Sequence, residues 1–159
     1  MKKIFVAAFM FMIGTTAAYS QDAFHGYKEV HIPVLDLTVM FSANGNSYQV
    51  YNAEARMVSE GNYNDQKKIV RTSNYEYDAD GTTLKRKITT DVLKDSETIL
   101  EYKDNRPCKM ITSPISRRSS TPTCVGVLDE DGLQDGVWVC FDAGRTGVTY
   151  VTYVHGVIK

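Results

Sequence analysis

Apolar and polar residues alternate along most of this chain with a period of two. Val, Ile, Thr and Tyr recur in short runs bounded by Asn, Asp and Gly, the pattern of half-buried β-strands joined by tight turns. The runs fall at residues 34–41, 47–51, 55–60, 69–77, 82–90, 98–102, 125–128, 137–141 and 149–154. Turn signals separate them at Ala43-Asn44-Gly45-Asn46, Asp78-Ala79-Asp80-Gly81, Asp129-Glu130-Asp131-Gly132, Asp142-Ala143-Gly144 and His155-Gly156. The Asn44-Gly45 pair favours the positive φ values of a type I′ hairpin turn. One stretch fits two periods, because Val92, Leu93, Ser96, Ile99 and Leu100 would also share one face of a short helix between Asp91 and Tyr102. The pattern predicts an all-β fold, an antiparallel hairpin meander in one extended or rolled sheet, with a small barrel or sandwich as the alternative.

The N-terminus breaks this pattern. Lys2 and Lys3 precede an apolar run over residues 4–14, followed by Thr15, Thr16, Ala17 and Ala18, which is the layout of a cleavable secretory signal peptide. Cleavage after Ser20 would leave Gln21 at the mature end, and cleavage after Ala18 is the alternative. The run is shorter than the roughly 18–20 residues of a membrane span, and no cysteine lies near the cleavage region to accept a lipid. The expected destination is therefore periplasmic or secreted, with no stable membrane span once the leader is removed. Residues 21–33 read as a flexible mature N-terminus, and residues 34–159 as one β-repeat domain with a Pro/Ser-rich loop at 107–122. Loss of Lys2 and Lys3 with the leader reduces the 18 basic residues to 16 against 19 acidic ones, a net charge of −3. An acidic chain has no basic excess to neutralise phosphates, so nucleic acid is excluded as an expected partner.

Aromatic residues lead repeatedly into polar turns, as in Tyr77-Asp78-Ala79-Asp80-Gly81, Tyr102-Lys103-Asp104-Asn105-Arg106, Phe141-Asp142-Ala143-Gly144-Arg145 and Tyr153-Val154-His155-Gly156. Each aromatic is expected to end a strand and pack across the sheet on its neighbours. The segment Asp131-Gly132-Leu133-Gln134-Asp135-Gly136-Val137-Trp138-Val139-Cys140-Phe141-Asp142-Ala143-Gly144-Arg145, with Tyr153-Val154-His155-Gly156 after it, resembles the MORN-like repeats associated with toxin–antitoxin systems. Tyr75-Glu76-Tyr77-Asp78-Ala79-Asp80-Gly81 is similar to the YD repeats of wall-associated and Rhs-type proteins. The first resemblance covers about residues 126–158 and the second the region around residues 75–106. Both imply stacked β-hairpins, and neither supplies catalytic residues. Cys140 stands where such repeats usually carry a second aromatic beside the tryptophan.

Three cysteines, Cys108, Cys124 and Cys140, lie in the mature chain, where an oxidising compartment allows a disulfide to persist. A Cys108–Cys124 bridge across the Pro/Ser-rich segment would stabilise by about 3 kcal/mol through loop closure. A cross-strand Cys124–Cys140 bridge, or three reduced thiols, are the alternatives. Other candidate chemistry is sparse. Cys140, His155 and Asp142 could form a nucleophile–base–orienter set, but the residues around Cys140 alternate as a packed strand. His25 and His31 lack metal-ligand spacing, and Asp78, Asp80, Asp129, Glu130 and Asp131 do not fit a twelve-residue calcium loop; Asp in such turns usually binds its own backbone. Lys85, Arg86 and Lys87 interrupt a strand, with alternation sending Arg86 to the opposite face, and Arg117-Arg118 sits in the Pro/Ser-rich segment.

The expected function is non-enzymatic: a secreted or periplasmic interaction module at the bacterial cell envelope, without cofactor or metal, whose partner is an envelope protein or glycan. Trp138, Phe141, Tyr150 and Tyr153 are the candidate binding residues, since exposed aromatic stripes make contact surfaces. The alternatives are a small β-barrel that binds a hydrophobic ligand and a cysteine-dependent envelope enzyme.

Overall fold

The computed structural model describes residues 19–20, 27–116, 122–141 and 147–159; the leader up to residue 18, His25, Arg117, Arg118 and Asp142 lie outside the described residues. Among the described residues every regular element is a strand. The first six are β1 (Tyr19–Ser20), β2 (Tyr27–Ile32), β3 (Leu37–Ser42), β4 (Ser47–Tyr51), β5 (Met57–Tyr63) and β6 (Ile69–Tyr77). There follow β7 (Leu84–Asp91), β8 (Ser96–Lys103), β9 (Arg106–Pro114) and β10 (Thr123–Leu128). The chain closes with β11 (Gln134–Phe141), β12 (Val148–Val154) and β13 (Val157–Ile158). All belong to one antiparallel sheet in strict chain order, β1 to β13. The two ends do not pair, so the sheet is an open meander and neither a barrel nor a sandwich.

Because side chains alternate across a strand, the pairing register assigns every residue to a face. On one face a row of directly opposed residues crosses β2 to β12. It begins Val30–Val39–Val50, passes through Ser59 and Asn74, and continues Ile88–Ile99–Ile111–Val125–Val139–Tyr150. The two polar members satisfy each other, the Ser59 hydroxyl donating to Asn74 Oδ1 at 3.0 Å. The matching row on the opposite face is polar for most of its length: Gln49–Glu60–Ser73–Thr89–Thr98–Thr112, ending in Cys124–Cys140–Thr149. We call these the apolar face and the polar face.

Burial along the apolar row declines from the N-terminal strands to the C-terminal ones. Val50 is 0 % exposed and clusters with Val39 and Tyr48 beneath Ile32, Leu37, Phe41, Val58 and Tyr63. Ile88, Ile99 and Ile111 are half-buried, and Tyr150 is exposed. Beside the row, Glu76, Arg86, Glu101 and Lys109 stand opposite one another on four consecutive strands. They make alternating-sign ion pairs at 3.3, 3.7 and 3.3 Å. Lys87, on the polar face, instead meets Glu60 at 3.3 Å and lies over the Tyr75 ring, so the basic run divides between the faces as alternation requires.

Two aromatic side chains lie flat on glycines of a neighbouring strand. Tyr48 covers Gly61 on the apolar face, with Tyr63 against it at 5.6 Å between ring centroids. Trp138 covers Gly126 on the polar face, with Tyr153 packed edge-on at 5.6 Å. A β-carbon at either glycine would overlap the ring, which explains why a residue of low strand propensity occupies each site.

Four expectations about local structure change. The 91–102 stretch contains no helix: β8 pairs along both edges, and its apolar residues Ile99 and Leu100 face opposite sides, each half-buried. The segment read as a flexible N-terminus contributes β2, held against β3 with Val30 buried. The Pro/Ser-rich loop at 107–122 shrinks, because β9 occupies most of it. Asp104 and Asn105 both take positive φ, turning the chain straight back, and Pro107 is tolerated beside the register shift at Tyr102. The type I′ turn expected at Asn44-Gly45 is also absent. Only Gly45 has positive φ there, and its N–H donates to the Ser42 carbonyl at 2.8 Å.

Replacing Gly126 by Val should displace the Trp138 ring. We expect a stability loss of roughly 1–3 kcal/mol by overpacking and a red-shifted tryptophan emission, measured by urea unfolding followed by fluorescence.

Candidate functional site

The four candidate binding residues divide between the two faces of the C-terminal hairpin. Trp138 opposes Val151 and Tyr153 opposes Gly136, both on the polar face, whereas Tyr150 opposes Val139 and Phe141 opposes Val148 on the apolar face. Trp138 is 1 % exposed, and its indole N–H donates to the Val127 carbonyl at 3.2 Å. It is a core residue with its polar atom satisfied, which corrects its place in a contact surface. Tyr153 is half-buried against it. Tyr150 and Phe141 are 68 % and 46 % exposed and remain available.

The apolar face around Tyr150 exposes more than those two aromatics. Val137 and Phe141 on β11, Val148 and Val154 on β12, Val127 on β10 and Val157 on β13 are all exposed. Pairing and alternation put them with Tyr150 on one side of the sheet. Charged groups lie at its margins: Asp135 and Lys109 stand on either side of Val127, and Lys159, whose N–H donates to the Thr152 carbonyl, follows Val157 on the same face. The sequence reading missed the valines because it weighed aromatic residues alone, although the i, i+2 spacing of Val137 to Phe141 and of Val148 to Val154 marked them.

The cysteines pair as Cys124–Cys140, with Cα atoms 4.1 Å apart, and Cys108 is free. This corrects the Cys108–Cys124 expectation, and register explains it. Cys124 lies directly opposite Cys140 on β11 and opposite Thr112 on β9. Cys108 is four positions further along β9, roughly 13 Å at strand rise and outside disulfide reach. The Cys108 thiol instead donates to the Glu101 carbonyl at 3.4 Å. A bonded Cys140 carries no nucleophilic thiol, so the Cys140–His155–Asp142 arrangement has lost its nucleophile.

His155 finds a different acid. Its Nδ1 lies 2.8 Å from Asp129 Oδ2, tying the β12–β13 turn to the β10–β11 turn. That hydrogen bond holds the exposed imidazole above its ordinary pKa of 6.5, while the Leu133 backbone N–H, with His155 and the Asp131 N–H, holds Asp129 below its usual value. Asp80 is lowered to about 2 by the backbone N–H groups of Thr82 and Thr83, and both its oxygens are used inside its turn. His31 lies 3.4 Å from the Thr38 hydroxyl, beside a shallow groove lined by Glu29, Asp36, Met40 and Tyr51. Among the described residues no three His, Cys, Asp or Glu side chains converge as metal ligands.

No family model matches the chain, and no curated protein resembles it in sequence.

Reduction, or Cys124→Ser, should destabilise by about 3 kcal/mol given a separation of 16 residues between the bonded cysteines, measured by denaturant unfolding with and without reductant. Cys108→Ser should cost far less, and alkylation of the unreduced, unfolded chain should add one label. The His155 resonance should titrate above 6.5, and Asp129→Asn should bring it down. The raised His155 pKa stabilises at low pH and is lost as pH rises through its folded value. The lowered Asp129 pKa stabilises at higher pH and is lost as pH falls through its own. The turn-to-turn contact is therefore strongest between the two.

Proposed function

We propose that this chain is a secreted or periplasmic, non-enzymatic β-repeat protein that acts as an interaction module at the bacterial cell envelope. The observation that carries the reading is the exposed apolar patch on the C-terminal hairpin, centred on Tyr150 and Phe141. Contiguous apolar surface of this kind on a soluble chain marks a contact site, and here it occupies rigid strands. Export is supported by the leader-like N-terminus and is compatible with the Cys124–Cys140 bond, since disulfides persist in oxidising compartments. The segment similar to MORN-like repeats lies on β11–β13, the strands that bear the patch.

The hydrophobic-ligand barrel requires a closed sheet around a cavity, which an open meander does not provide. Among the described residues no helix is long and apolar enough to cross a membrane. The partner, an envelope protein (a further copy of this chain included) or a glycan, is met through the apolar face and not through Trp138.

The experiment is in-cell photo-crosslinking with a benzophenone side chain at position 150, combined with fractionation. The chain should lose its leader, leave the cytoplasm and form a discrete adduct that Phe141→Asp abolishes while the unfolding midpoint stays in place. A chain retained unprocessed in the cytoplasm, or adducts indifferent to Phe141→Asp, would overturn the proposal.

A further inference from the structure

The apolar row runs from a covered end to an uncovered one. Val39 and Val50 are buried in the N-terminal cluster, whereas β10 to β13 turn the same face to solvent, with no second layer over it among the described residues. Seven side chains there, Val127, Val137, Phe141, Val148, Tyr150, Val154 and Val157, are between 37 % and 68 % exposed. Together they present on the order of 600 Å², at the upper end of the roughly 300–600 Å² of the largest patch on a typical monomer; doubled, it reaches the ~1,200 Å² at which standard interfaces begin.

We infer that this patch is covered by a second copy of the chain, the two C-terminal hairpins stacking apolar face to apolar face in a two-fold dimer. This rests on reading the patch as an interaction surface and names its occupant. Three features favour a copy of the same chain. First, the area each copy offers reaches the lower end of what a stable dimer requires. Second, the centre of the patch, where Val139 opposes Tyr150 and Phe141 opposes Val148, carries no charged group, so it meets its own image without burying like charges, while Lys159 at the β13 edge and Lys109 and Asp135 beside Val127 stay at the rim. Third, the chain needs the layer. Only six hydrophobic residues are buried among those described, and sheets gain stability by burying one face against another element. Stacking two copies turns the thin C-terminal end into a local sandwich with the ~10 Å inter-sheet spacing of packed β-layers.

The ion-pair ladder sets the edge of the contact. Glu101 and Lys109 lie beside Ile99 and Ile111 on the same face, and Lys109 opposes Val127. The apolar surface therefore gives way to charge of both signs at β9, which confines stacking to β10–β13 and supplies a polar rim.

The test is the molar mass of the purified, leader-processed chain by light scattering across about 1 to 100 µM, together with the mass of the adduct formed by the photo-reactive side chain at position 150. A dimer that becomes monomeric in Tyr150→Lys, with self-association weakened at least roughly tenfold, and an adduct of twice the chain mass support the inference. Thr149→Lys, at an exposed position on the opposite face of the same strand, controls for added charge and should stay dimeric; Phe141→Ala offers a gentler second variant on the patch. A wild-type chain that is monomeric at about 100 µM overturns the dimer. In that case an in-cell adduct of some other mass leaves the interaction-module reading standing, and absence of any adduct sinks both.

Discussion

Cohesion in a sheet one layer deep has to come from within the layer. With no opposing element among the described residues to bury a face, each side chain finds its apolar neighbours on the strands to either side. Here that requirement is met by the row from Val30 to Tyr150, in which nine of eleven positions are hydrophobic and each opposes the next without a break. Cross-strand pairs contribute about 0.2–1 kcal/mol each, so the row acts through its length. A slip of one residue in any hairpin would move every following member to the polar face. The disulfide, the ion-pair ladder and the two aromatic–glycine contacts all presuppose that register.

The aromatic–glycine contacts divide the labour between the faces. Tyr48 on Gly61 closes the N-terminal cluster on the apolar side, and Trp138 on Gly126 forms a comparably buried aromatic site on the polar side. The second contact fixes where the Cys124–Cys140 pair sits, because Trp138 and Cys140 are two residues apart on β11 and Gly126 and Cys124 two apart on β10. With the polar side of the C-terminal hairpin held by a covalent bond and an indole, its other side is left as open hydrocarbon.

Nine of the thirteen strands and the antiparallel meander were legible in the sequence, since period-two alternation survives in a sheet whose two faces differ; β1, β2, β9 and β13 were not. Ile69–Tyr77 stands where the pattern put it. What misled was composition. Pro107, Pro114 and the serines made β9 look like a loop, and with β9 missing, Cys108 seemed the natural partner for Cys124. The pairing follows only once Thr112 is known to face Cys124. Trp138 was misplaced for a related reason: its burial depends on Gly126, twelve residues away on another strand, and on a bulge that no local pattern announces. Tyr150 and Phe141 were chosen as aromatics together with Trp138 and Tyr153, and only the register separates the exposed pair from the covered one.

Every pairing in this sheet joins strands that are neighbours along the chain, and such topologies need little loop closure before contacts form. The N-terminal hairpins can accordingly zip up in order as they leave the ribosome or a translocation channel, each adding to a finished edge. Cys140 comes late in that sequence, so the covalent bond seals a sheet that is already in register. A chain assembled in this way could gain or lose hairpins at its free edge without rethreading what precedes them.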